Sequence, residues 1–195
     1  MKYLLLLCLL AGGLRAAGQV SPLPIDSTTG KITFQGVVQV PGVSQAELYS
    51  RAREWFALNF ASGKAVLDMD DRADGKLIGT GYSTFYYAYI LTPYTYQLWR
   101  TFKVYVRDGR FRYEITDVQV AGPQELQASN PRLIAKTPIE KTIGENAKRN
   151  SFLWDKHGQP KGVTRAELDA VNAAAKQDVA SLTQAMNAQG KKKDW

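Results

Sequence analysis

Three long runs between Lys76 and Val120 constrain the fold more than any other part of the chain. The first, Lys76 to Leu91, is rich in Tyr, Phe and Ile. Pro93 separates it from an alternating run, Tyr94 to Arg107, and the third, Arg110 to Val120, sets Phe111, Tyr113 and Ile115 against Arg110, Arg112 and Glu114. A period of two marks strands with one buried face, because successive side chains point to opposite sides of a sheet. Asp108-Gly109, between Val106-Arg107 and Arg110-Phe111, predicts a two-residue hairpin turn with positive φ at both central positions.

The flanking segments supply another strand and two helices. Lys31 to Val40 places Ile32, Phe34, Val38 and Val40 on one side and Lys31, Thr33, Gln35 and Gln39 on the other, a half-buried strand. Pro41-Gly42 breaks it. Ser44, followed three residues later by Glu47, then opens a helix to about Ala61 whose apolar stripe is Leu48, Ala52, Trp55, Phe56 and Phe60. Lys64 to Met69 is a short strand and Asp70 to Gly75 a polar turn. After Gly122-Pro123 the regularity fades, with one short helix expected around Glu145 to Asn150. A second capping pattern, Thr164 with Glu167, predicts a helix to about Gln189 with Leu168, Val171, Ala175, Val179, Leu182 and Met186 at helical spacing. The result is an α+β chain in the order β-α-β-β-β-β-α.

The N-terminus concerns address rather than fold. Lys2 precedes an apolar run from Leu4 to Leu10, and small residues Ala16-Ala17-Gly18 offer a cleavage site before Gln19, so residues 1–18 read as a signal peptide. The run is shorter than the roughly 20 residues that span a bilayer, and no transmembrane segment is expected in the mature chain. Cys8, the only cysteine, lies inside the run, which argues against lipidation and excludes thiol, cysteine-zinc and iron–sulfur chemistry after cleavage. The formal charge is +7, but Lys2 and Arg15 leave with the signal, and Lys191-Lys192-Lys193 concentrate more of it in a terminal tail. A mildly basic exported body is a poor fit to nucleic-acid binding. The organisation expected is a signal peptide over 1–18, an exposed lead-in over 19–30, an α+β domain over 31–121, a Pro-containing connection over 122–163, an amphipathic helix over 164–189 and a basic tail over 190–195.

Particular residues sharpen the fold. Thr29-Gly30-Lys31-Ile32, Leu48-Tyr49 with Trp55-Phe56, Asp71 through Gly75-Lys76-Leu77-Ile78-Gly79, and Val106-Arg107-Asp108-Gly109-Arg110-Phe111-Arg112-Tyr113 together resemble a bacterial exported family, domain of unknown function 4468, whose fold is like that of the TATA-box-binding protein. The resemblance covers about Gly30 to Val120. It implies a curved antiparallel sheet with helices on one face, and it implies no activity and no DNA binding, since a fold does not determine a function.

Several constellations bear on chemistry. Asp68, Asp70, Asp71 and Asp74 precede Gly75, but Arg72 and Gly81 fall where a calcium loop needs ligands, so a solvated turn is the better account. His157 is the only histidine, in a loop with Asp155 and Pro160, and no Gly-x-Ser-x-Gly elbow accompanies it. No metal and no cofactor is expected. The surface of interest carries Trp99, Lys103, Tyr105, Arg110 and Arg112, with Tyr87 and Tyr89 beside them. Aromatic rings stack on sugars or apolar groups and Arg and Lys pair with acids, so this face suits an envelope glycan or a protein. If the C-terminal helix covers it, the aromatics are core instead. The leading expectation is a non-catalytic exported binding or interaction module, periplasmic or secreted. The alternatives are a carrier of an apolar ligand between sheet and C-terminal helix, and a hydrolase using Asp117 or Glu114 with Asp71. Open sheet edges also leave room for a homodimer.

Overall fold

The computed structural model describes residues 23–59, 65–89, 91–127, 135–144 and 148–188. The signal peptide, the basic tail and half of the helix expected around Glu145 to Asn150 lie outside these residues. Within them the elements run β1 (Phe34–Gln39), α1 (Gln45–Asn59), β2 (Ala65–Asp71), β3 (Lys76–Tyr89), β4 (Thr92–Arg107), β5 (Arg110–Ala121), α2 (Gln124–Gln127), β6 (Thr137–Pro138), α3 (Glu140–Ile143) and α4 (Gly162–Asn187). The strands form one curved antiparallel sheet in the order β1-β5-β4-β3-β2, with β6 also pairing β5, and α1 and α4 lie on one face.

The period of two decides which residues meet the helices. Leu77 from β3, Phe102, Val104 and Val106 from β4 and Phe111 and Ile115 from β5 are buried against Leu48, Trp55 and Phe56 of α1 and Leu182 and Met186 of α4. Trp55 anchors this cluster twice, by an edge-on contact with Phe102 at 5.7 Å and by donating its indole N–H to Ser181 Oγ at 2.9 Å. A second cluster gathers Leu98, Val118 and Ile32 with Ile139, Trp154, Leu168 and Val171. The connection after β5 thus supplies core residues and a strand, more structure than its composition suggested.

The buried face keeps its parity through β5 by means of a bulge. Trp99 pairs with Gln119 and Thr101 with Thr116, so β5 carries one extra residue there, and Asp117 takes a φ of 51°. Beyond it the buried positions move from Phe111 and Ile115 to Val118 and Val120. Opposite the bulge, between the two clusters, Arg100 is 2% exposed and donates Nε to Asp178 of α4 at 2.9 Å. Its Nη1 reaches Ser83 Oγ at 2.9 Å and the Leu98 carbonyl at 3.1 Å. Burial pulls the Arg100 guanidinium below its usual range despite Asp178. Burial also raises the Asp178 carboxyl, against the opposing pull of Arg100.

Four local expectations are corrected. Pro93 lies inside β4, opposite Ala88, because the β3–β4 turn is tighter than expected. In the β4–β5 turn only Gly109 has positive φ, 71°. Asp108 keeps an ordinary φ, and its carboxylate accepts the Gln45 N–H at 2.7 Å, capping α1. Half of the first capping box forms, with Ser44 Oγ accepting the Glu47 N–H at 3.3 Å while Glu47 turns forward to Arg51. The second does not form. The last helix begins at Gly162, and Thr164 is buried within its first turn. Tertiary burial has overridden the local cap signal.

Candidate functional site: the uncovered face of the sheet

With both long helices on one side, the even positions of β3, the odd positions of β4, and the positions of β5 that are even up to Thr116 and odd beyond the bulge stand on the other, and the register arranges them in rows. Val37, Arg112, Tyr105 and Lys76 are successive cross-strand partners, and next to them run Gln35, Glu114, Lys103 and Ile78. At the hairpin end Arg107 pairs with Arg110, which also pairs with Gln39. In the other direction come Thr116, Thr101 and Thr80, then Gln119, Trp99 and Tyr82.

All five sequence-selected residues, Trp99, Lys103, Tyr105, Arg110 and Arg112, stand on this face. Lys103 donates to Glu114 at 2.6 Å, and Arg112 reaches the other oxygen of Glu114 at 3.5 Å and Gln35 Oε1 at 3.4 Å. Tyr105 is flanked by two cations, Lys76 at 5.8 Å and Arg112 at 5.7 Å from its ring centre. Trp99 is more fully engaged. Lys136 Nζ stands 3.3 Å from its ring centre, Tyr82 packs against it at 4.6 Å, and its N–H meets Gln97 Oε1 at 3.2 Å. Trp99 is therefore built into the surface, whereas Arg107, Arg110 and Arg112, with Val37, Tyr105 and Phe111, line a hollow of about 330 Å³.

Among the described residues no carboxylate lies within ion-pair distance of Arg107 or Arg110. They are nonetheless direct cross-strand partners, an arrangement that costs energy unless an anion stands between them. Farther along the face a polar depression includes Asp26, Lys31, Lys103, Arg112, Glu114 and Asp117. Lys31 and Asp117 form an ion pair there, and the hydrogen bond to Asp117 raises the Lys31 ammonium above its usual range.

Other candidates are placed differently. Tyr87 is on the helix side, its hydroxyl beside Gly162 at the start of α4, because it shares parity with Leu77 and Phe85. The side chain of Tyr89 lies outside those described. The aspartates around Gly75 act locally. Asp71 accepts the Ala73 and Asp74 N–H groups, Asp68 accepts the Thr80 hydroxyl, and Asp70 binds Arg53 and the Tyr49 hydroxyl. The Tyr49 hydrogen bond holds Asp70 below the carboxylate range, while burial, with Asp70, pushes the Tyr49 phenol up to about 12. His157 is exposed in its loop. Asp71 is three strands from Glu114 and Asp117, about 14 Å at ordinary spacing, so the expected carboxylate pair is not brought together. Phe102, Val104, Leu182 and Met186 pack between the sheet and α4, and beside them an open groove of about 530 Å³ runs between β1 and α4, lined by Phe34, Tyr113, Ala175 and Val179.

Sequence reasoning missed Arg107, Lys76, Val37, Tyr82 and Lys136. Arg107 continues the period of Lys103 and Tyr105 and was legible. Lys136 precedes a two-residue strand in a stretch with no periodic signal.

Comparison with known proteins agrees with this architecture. Residues 34–121 match the model of the family described as domain of unknown function (DUF4468) with TBP-like fold. The chain is similar in structure to a DUF4468 family protein from Bacteroides ovatus ATCC 8483, with a TM-score of 0.64 and 17% identity over 86% of this chain and 93% of that one. It is also similar to a TBP-like protein from Parabacteroides distasonis ATCC 8503, with a TM-score of 0.56 and 13% identity over 83% of this chain and 97% of the other. No curated protein matches the chain. At these identities the likeness concerns fold alone. Among the described residues no helix is long and apolar enough to cross a membrane.

Proposed function

We propose that the chain is a non-catalytic, exported binding module of the bacterial envelope that holds an acidic glycan on the uncovered face of its sheet. The observation that carries this reading is the Arg107–Arg110 pair, unneutralised by any described carboxylate and opening with Arg112 and Tyr105 into one hollow. Guanidinium forks pair with carboxylate or sulfate groups in two-point contacts. Tyr105 adds a ring whose quadrupole already holds two cations in place. From Tyr105 to Trp99 the face extends about 20 Å along β4 at ordinary strand rise, a span suited to an extended polymer. Export rests on the signal-like N-terminus, and the non-catalytic character on the sequence, which carries no Gly-x-Ser-x-Gly elbow and no second histidine beside His157.

Retardation of the purified protein in gels containing polygalacturonate, heparin or neutral dextran tests this. The two acidic polymers should retard it, dextran should not, and Arg107→Ala with Arg110→Ala should weaken binding about tenfold or more, the loss of one charge-assisted contact being about 1.5 kcal/mol. Equal mobility in all three gels would refute the reading.

A further inference from the structure

The two long edges of the sheet are built differently. β2 carries Asp68, Asp70 and Asp71 and is bent by a bulge between Leu67 and Met69, features that discourage pairing with another chain. β1 has neither. It reads FQGVVQ, without charge or proline, and Val37 is 59% exposed. Val40 donates its N–H to Gly109 on the β5 side at 2.7 Å, so the alternation of an antiparallel ladder turns the N–H and C=O groups of Gln35, Val37 and Gln39 away from β5. Among the described residues nothing bonds to them there. Thr33 has the same orientation, but its N–H is taken by the Pro24 carbonyl at 2.9 Å. At the other end the next outward position is Pro41, which has no N–H to offer.

We propose that β1 is the dimer edge of this protein, pairing antiparallel with β1 of a second copy about a two-fold axis through Val37. In that register Val37 meets Val37 of the second copy and Gln35 meets Gln39, so every free outward N–H and C=O finds a partner. At one end the place beside Thr33 is filled by Pro24 of the same chain, and at the other Pro41 cannot donate, so the ladder is confined to Gln35, Val37 and Gln39. An arbitrary extended peptide has no reason to share these limits. The match selects a second copy, as a two-fold interface requires self-complementarity. No like charges stand opposite each other within the strand pair. Gly36 receives Val38 of the second copy as its neighbour. The Tyr113 ring lies so close beneath Gly36 that a Cβ there would come within 2.7 Å of its hydroxyl oxygen. A groove of about 530 Å³, lined in part by Phe34, Tyr113, Val179 and Ala180, opens beside this point to take the incoming side chain. Arg112 neighbours Val37, so the two copies of Arg112 stand three strand spacings apart, about 14 Å. That exceeds the screening length of about 8 Å at physiological salt.

This inference rests on the outer edge of β1 and does not require the glycan reading, although Val37 also borders the hollow of Arg107, Arg110 and Arg112. Its test is sedimentation equilibrium of the purified protein, of Val37→Lys, of Val37→Glu and of an equimolar mixture of the two variants. Position 37 is exposed and its N–H faces away from β5, so the fold should survive, which circular dichroism checks. The native protein should sediment at twice the mass of one chain, each variant at the single mass, and the mixture at twice the mass, because Lys then meets Glu across the axis. A native protein of single mass, a variant that keeps the double mass, or a mixture that stays single would each overturn the proposal.

Discussion

Replacing Glu167 by Gln should remove most of the pH dependence of stability between pH 5 and 8. Glu167 sits in α4 against the Thr142 hydroxyl of α3, and near Tyr96 of β4, whose phenol is raised first by burial and then by this carboxylate. Burial pushes the Glu167 carboxyl from 4.5 to about 7, opposed only in part by the Thr142 hydrogen bond. Below pH 4.5 both the folded and the unfolded chain hold the proton, and the site has no preference. As pH rises from 4.5 to about 7 the unfolded chain releases it while the folded chain keeps it, so stability falls. Above that range the folded protein holds a poorly solvated carboxylate. At about 1.4 kcal/mol per pH unit the loss approaches about 3 kcal/mol. Gln fills the same volume and cannot ionise. Urea denaturation at pH 5 and pH 8 should show the variant close to the native protein at pH 5 and more stable by up to about 3 kcal/mol at pH 8. Parallel stability curves for the two proteins across this range would show that Glu167 is ionised throughout and that the reasoning fails.

Two further substitutions probe what holds the layers together. Arg100→Met should cost about 3 to 5 kcal/mol, because it strands Asp178 beside the core. Adding Asp178→Leu should recover most of that loss in the same urea titration, and a double variant no better than the single would refute the pairing. Gly75→Ala should destabilise by more than about 1 kcal/mol, since Gly75 has a φ of 64° and a Cβ there would meet the Val106 carbonyl oxygen at 2.6 Å; a thermal midpoint equal to the native one would show that the turn relaxes.

The legible part of this protein is the part governed by period two. Trp99, Lys103 and Tyr105 were placed on one face because they are two or four residues apart, and the same rule assigned Arg110 and Arg112 to the neighbouring strand. Whether that face was covered was not legible, since nothing local to α4 states which side of the sheet it will choose. The answer lies in long-range partners such as Ser181 for Trp55 and Asp178 for Arg100. Glu167 shows a different failure. Its spacing from Thr164 imitates a cap, yet burial of Thr164 moved the helix start upstream and left the carboxyl facing Thr142. The bulge at Asp117 had no composition signal, and without it Val118 and Val120 would have been assigned to the wrong side of the sheet.

The strand order also sets a sequence of assembly. β2, β3, β4 and β5 are joined by short turns and can zip together locally, whereas Phe34 and Gln39 find their partners only at Ile115 and Arg110. Such distant contacts require the intervening chain to be ordered first, which makes β1 the last strand to dock. The first strand to leave the ribosome is thus the last to be sheltered, and its uncharged, β-favouring sequence stays exposed until the fifth strand has been made. Until β5 is in place, Phe34 and Val38 have no sheet to join, and the core they help to close stays open on that side.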